Sequence, residues 1–204
     1  MAIKGLGTAS TTALLISECQ NGMTDPEHST NDLLSGQVCK RGTIEKIEAL
    51  AAVLRARGVP VFHATVQGLP GFRGWGANSP LTASIRKRPL VEGHISTAVH
   101  PGITVAGEDV VVARHRGLTA FHGTELEYLL RNMGVQSLVV TGVSLNIALP
   151  GSIIEAVNRG FSVVVPSDCV SGATDETHDF VLRHMLPLLS TVATSESIIA
   201  ELGA

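Results

Sequence analysis

The chain has 204 residues, 44% of them hydrophobic and 16% charged, with a formal net charge of −3 and a pI near 6.2. That is enough apolar material for one globular domain with a sizeable core and too little charge for a disordered chain. With no basic run longer than Arg86-Lys87-Arg88, the weakly acidic balance excludes a nucleic-acid or anionic-membrane binder; no apolar stretch reaches the roughly 20 residues of a spanning helix.

Met1 to Ser10 lacks the basic and long apolar regions of a secretory leader, and Cys19, Cys39 and Cys169 form no CxxC pair. Odd, unpaired cysteines argue against a disulfide scaffold or a zinc site and fit a reducing cytoplasm. No cofactor and no membrane partner is expected. The Arg86-Lys87-Arg88 triplet reads as a solvated face.

In chain order, Thr12–Ser17 (TALLIS) reads as a buried strand. Thr43–Arg57 carries Ile44, Ile47, Leu50 and Leu54 on one helical face, and Gly58 ends it. Val59–Ala64 and Asp109–Ala113 are the next strands. Thr124–Met133 is a helix with Thr124 as its N-cap, followed by a strand over Ser137–Thr141. Asn146–Arg159 reads as helical, Ser162–Val165 as a strand, and Asp175–Leu186 and Ser195–Leu202 as helices around a short strand near Thr191. β-Branched runs alternating with helices predict an α/β fold with a parallel sheet of about six strands, covered on both faces. Residues 65–108 have little periodicity and many turn residues, which predicts a long irregular loop or lid inside a single domain spanning 1–204.

Ligands of such sheets bind at the carboxyl ends of strands, so chemistry is expected just after each one. After the first strand stands Glu18, a carboxylate in a place where burial demands a partner. After the third stand Arg114, His115 and Arg116, able to pair with Glu18 or to hold an anionic substrate group. After the fourth comes Gly142-Val143-Ser144-Leu145-Asn146, a turn into a helix N-terminus that offers backbone N–H groups to an anion.

Together these segments resemble the isochorismatase-like, or cysteine hydrolase, superfamily. Ala13 to Asn21 is similar to the family's strand followed by Asp-x-Gln-Asn, and Thr119 to Leu126 to its Ser-Ala-Phe-x-Gly-Thr-x-Leu element. Leu129 to Val135, Gly142-Val143, Ala156 to Phe161 and Val165 to Asp168 match the family's later units. The resemblance implies a three-layer, Rossmann-like doubly wound sheet, a homo-oligomer (dimer or tetramer), and a small-molecule substrate. Thiol members use an Asp, Lys, Cys triad to hydrolyse amides and related C–N bonds. Here Glu18 falls at the Asp position, Arg114 or His115 at the Lys position, and Ala148 at the Cys position. Leu145 and Asn146 also depart from the Thr-Asp that precedes the family cysteine, so the site has diverged as a whole.

Members that lack the thiol hydrolyse a vinyl ether with the carboxyl group as acid, which implies a non-thiol hydrolase here. Glu18 would be the acid/base, with Arg114 and His115 as its partners. The Ser144 and Ala148 amides would bind an anion, behind a cis peptide common in the family before Ser144. Gln20, Trp75, Phe121 and Asn146 would form the pocket wall. The alternative is a pseudoenzyme, a binding or scaffold protein in which loss of all three residue types accompanies loss of activity. A third reading, a metal site, would centre on His63, whose competing role is a hydrogen-bonded loop histidine.

Overall fold

The computed structural model describes residues 2–203. Seven strands form one parallel sheet: β1 (Thr12–Ser17), β2 (Val61–Val66), β3 (Val110–Arg114), β4 (Ser137–Val143), β5 (Ser162–Pro166), β6 (Val170–Ser171) and β7 (Thr191–Ala193). Their order is β3-β2-β1-β4-β5-β7, with the two-residue β6 beside β4. The chain winds outward one way through β2 and β3 and the other way through β5 and β7. The switch of direction lies between β1 and β4, where an open α/β sheet leaves a crevice beyond its strand ends.

Alternation along β1 sends Leu14 and Ile16 to one face and Ala13 and Leu15 to the other. The first face is covered by α2 (Asp32–Arg41), α3 (Thr43–Ala56) and α8 (Ser195–Leu202), which bury Leu34, Ile47, Leu50 and Ile198. The second is covered by α5 (Leu126–Asn132) and α6 (Ala148–Asn158), which bury Leu126, Leu130, Leu149 and Ile153. The remaining helices are short: α1 (Asn21–Thr24), α4 (Pro80–Ile85) and α7 (Asp175–Phe180). Among the described residues, no helix is long and apolar enough to cross a membrane.

Several boundaries differ from the sequence reading, each for a local reason. The sheet gains β6, too short to show as an apolar run. α5 begins one residue later than expected, with Glu125 at the N-cap; the Thr124 hydroxyl donates back to the Ala120 carbonyl (2.7 Å) and accepts only a long bond from the Leu126 N–H (3.4 Å). α6 begins at Ala148, two residues late, because Ile147 holds non-helical angles. The helix expected to reach Leu186 is regular only to Phe180 and then passes through a wider turn at Val181–Met185, ahead of Pro187. Within 65–108, α4 and two short 3₁₀ turns interrupt an otherwise irregular path, and Ile85 and Leu90 anchor it in the core.

Asp109 ties the end of that segment down. Its carboxylate accepts from Arg55 Nε on α3 (2.9 Å), from His63 Nε2 on β2 (2.9 Å) and from the Ala106 N–H (3.0 Å). Burial opposes the ionised form, but these donors outweigh it and hold the carboxyl below its ordinary value of 3.8. A depressed carboxyl stabilises the fold above its unfolded pKa and stops doing so as pH falls through the folded one. The stability gap between wild type and Asp109→Asn should therefore be widest near neutrality and close below pH 3.8, read from urea midpoints across pH. A gap independent of pH would contradict this.

Candidate active site

The crevice is built first by the turn after β1. Glu18 adopts φ 51°, in the left-handed region, between a hydrogen bond from its N–H to the Ala64 carbonyl and one from the Gln20 N–H to its own carbonyl (both 2.8 Å). A β-carbon makes that conformation unfavourable, so the turn depends on its surroundings. Gln20 supplies them. Its amide donates to the carbonyls of Val66 (3.0 Å) and Thr97 (2.7 Å) and accepts from the Val66 N–H (2.7 Å). Asn21 adds bonds to the Ile95 and Ala98 carbonyls.

Arg114, the last residue of β3, places both terminal nitrogens on one oxygen of Glu18: Nη1 at 3.1 Å and Nη2 at 2.6 Å from Oε1. Among the described residues Oε2 has no protein partner. The Arg114 side chain is 4% exposed and that of Glu18 13%, so the pair sits deep in the crevice, where both residues line the cavity. Burial pushes the Glu18 carboxyl above its ordinary value, and the charge of Arg114 pulls the other way without cancelling it.

The opposite wall comes from β4 and α6. The Val143–Ser144 peptide is cis, at the place the resemblance implied. The Leu145 N–H is taken by the Ser171 carbonyl and the Leu149 N–H by Ser144, while Asn146 Oδ1 accepts from the Ala173 N–H (2.9 Å). Among the described residues the N–H groups of Ser144 and Ala148 have no acceptor, and no side chain caps α6. The positive end of that helix therefore lies open to the crevice.

A cavity of about 200 Å³ joins these parts, lined by Glu18, Arg114, Ser144, Asn146 and Ala148, with Arg88 and the apolar side chains of Met23, Leu34, Leu81 and Ile85. Five residues expected in the site thus meet in one space. Four others do not line it. His115 follows Arg114 on the alternate side of the chain, and its Nδ1 contacts the Gln67 carbonyl. Gln20 is fully buried, its amide consumed by the turn. Trp75 is buried beneath α4, donating to the Thr82 carbonyl and packed edge-on against Phe72. Phe121 packs in the core of the second face against Phe161, with the Arg159 guanidinium over its ring.

Arg88, Asn31 and the apolar wall do not stand out in the sequence. They come from α1, from α2 and its N-cap, and from the 65–108 segment, where no recognisable motif marks them. No cysteine lines the cavity. Cys39 is exposed on α2, and Cys19 and Cys169 are buried, with burial raising both thiols, Cys169 to about 12. A thiol so placed is not a nucleophile near neutral pH. His63 is buried and bound to Asp109, and no group of three or more His, Cys, Asp or Glu comes together among the described residues.

The sequence profile of the isochorismatase domain matches residues 12–197. An uncharacterised isochorismatase family protein of Escherichia coli O157:H7, YecD, is 29% identical over 197 residues, covering 94% of this chain and 96% of the relative. The ureidoacrylate amidohydrolase RutB of Methylorubrum extorquens is 27% identical over 180 residues, covering 81% of this chain and 71% of the relative. A solved isochorismatase family structure from Burkholderia thailandensis superposes with a TM-score of 0.79 at 28% identity, covering 100% of both chains. With the profile spanning nearly the whole sequence and the fold shared end to end, the chain belongs to the isochorismatase family of hydrolases.

Proposed function

We propose that this protein hydrolyses an enol-ether or C–N bond of a small molecule, with the Glu18 carboxyl as acid and base and no cysteine nucleophile. The observation that carries this reading is the Glu18 carboxyl itself: it lines the cavity, one oxygen is fixed by Arg114, the other has no protein partner among the described residues, and burial favours its protonated form. A group tuned toward neutrality can both give and take a proton during turnover.

For an enol ether, protonated Glu18 delivers its proton to the terminal alkene carbon, leaving an oxocarbenium ion. Water adds to that ion as the Glu18 carboxylate removes its proton, and the hemiketal then collapses to a carbonyl compound and an alcohol. For a C–N bond, the Glu18 carboxylate takes a proton from water as the oxygen adds to the carbonyl carbon. The oxyanion would lie against the Ser144 and Ala148 N–H groups, and the C–N bond breaks as Glu18 returns the proton to nitrogen. The amidohydrolase relative favours the C–N member of this pair. An open cavity with Glu18 and Arg114 in its lining supports turnover over a scaffold role, which would leave no need for it.

The test begins with a substrate screen over both bond classes. A variant combining Cys19→Ala, Cys39→Ser and Cys169→Ala should keep wild-type turnover. The pH profile of kcat/KM should show one limb from Glu18, falling with rising pH for the enol ether and rising for C–N cleavage. Loss of turnover without thiols, or a flat profile, would overturn the mechanism; no turnover on either class would favour a binding protein.

A further inference from the structure

The charged groups around the cavity do not balance. Two arginines and one glutamate line it. Arg114 is committed to Glu18 through both terminal nitrogens. Arg88 has no carboxylate partner among the described residues, and its one side-chain contact is a long one, from Nη2 to the Ser84 hydroxyl at 3.5 Å. It is half-buried, whereas its neighbours Arg86 and Lys87 are exposed. The turn after α4 sets this orientation, with the Arg88 N–H bonded to the Ile85 carbonyl (3.0 Å). Around it the wall is apolar, formed by Leu81, Ile85, Leu34 and Met23.

A partly desolvated guanidinium beside an apolar wall is poorly compensated by the protein alone. A ligand carboxylate would supply that compensation, since the planar fork of arginine matches two carboxylate oxygens. We propose that Arg88 anchors a carboxylate or comparable anionic group of the substrate, so that the molecule this cavity takes is a small organic anion with an apolar body. The word substrate here rests on the hydrolase reading above. The anchor sits on the long 65–108 segment, whereas Glu18, Ser144 and Ala148 sit at strand ends. Arg88 would therefore hold the non-reacting end of the molecule while the sheet edge addresses the bond that breaks.

Benzoate and butyrate, each compared with its neutral alcohol (benzyl alcohol, butanol), are suitable probes by titration calorimetry. Wild type should prefer each acid by about tenfold or more, the range of a charge-assisted hydrogen bond. Arg88→Met should abolish the preference while leaving alcohol binding unchanged, and Arg88→Lys should retain part of it. Raising the salt concentration should narrow it. Equal affinity for acid and alcohol, no binding of either acid, or a preference that survives in Arg88→Met would overturn the anchor. The same titrations on Glu18→Gln separate the two proposals: the preference should persist there, because the anchor does not use Glu18. Acid preference without turnover would leave the anchor standing and remove the hydrolysis; turnover without acid preference would do the reverse.

Discussion

Glu18→Gln should abolish hydrolysis without unfolding the protein. The amide keeps an oxygen to accept from Arg114 but cannot deliver or store a proton. General acid/base catalysis is worth roughly 10²–10⁴ in rate, so the loss should be large in kcat and in kcat/KM alike. Stability should move the other way with pH. Burial raises the folded carboxyl above its ordinary value of 4.5. The contribution of such a group is therefore fullest below the unfolded pKa and is lost as pH rises through the folded one. The glutamine variant carries no such cost. Its melting temperature relative to wild type should rise as pH increases from 4.5 through the folded pKa of Glu18. A structural carboxylate would give the opposite pair of results, with a lowered melting temperature and unchanged turnover.

Gly142→Ala should be among the most damaging single changes outside the charged residues. Gly142 ends the β1–β4 pairing with φ 102°, and a β-carbon there would lie 2.2 Å from the Ser17 carbonyl oxygen and 2.8 Å from the Ser17 nitrogen. Both are backbone atoms of the central strand, which no rotamer change can move aside. Left-handed strain and overpacking together should cost about 2–6 kcal/mol, a large share of the about 5–15 kcal/mol of a typical domain. Gly134 is the control, since it also has positive φ (72°) but meets nothing within 4 Å. Gly134→Ala should cost only about 1–2 kcal/mol. Equal shifts in the denaturant midpoints of the two variants would show that the close approach to Ser17 is not what makes Gly142 necessary.

The sheet is legible in the sequence because its strands are buried on both faces and read as unbroken apolar runs, and the helices that pack on it show the helical period. α2 is not legible: Leu33 points to solvent, and only Leu34 and Val38 among its apolar side chains turn inward, which leaves no clear stripe. At the site, Glu18, Arg114, Ser144 and Ala148 can be found because each stands at the end of a strand or in the turn and helix start that follow it, where topology alone brings residues together. Gln20, Trp75 and Phe121 are expected in the wall on residue type, yet large and polar side chains are equally suited to bracing a turn or filling a core. Arg88 shows the converse. The triplet Arg86-Lys87-Arg88 reads as a solvated face, and that holds for Arg86 and Lys87; the turn that swings Arg88 inward is fixed by α4, which no periodicity announces.

The Gln20 amide touches no cavity, yet it decides which walls of the cavity can move. By spanning Val66 and Thr97 it welds the end of β2, the turn bearing Glu18 and the segment around Ile95–Thr97 into one piece. That piece is the floor. The exposed rim of the cavity carries Leu81, 37% exposed, and Ile147, 47% exposed, aliphatic side chains that packing alone can hold. Hydrogen exchange should therefore be slow at the amides of Glu18 and Val66, which the Ala64 carbonyl and the Gln20 side chain close off, and faster at the exposed rim.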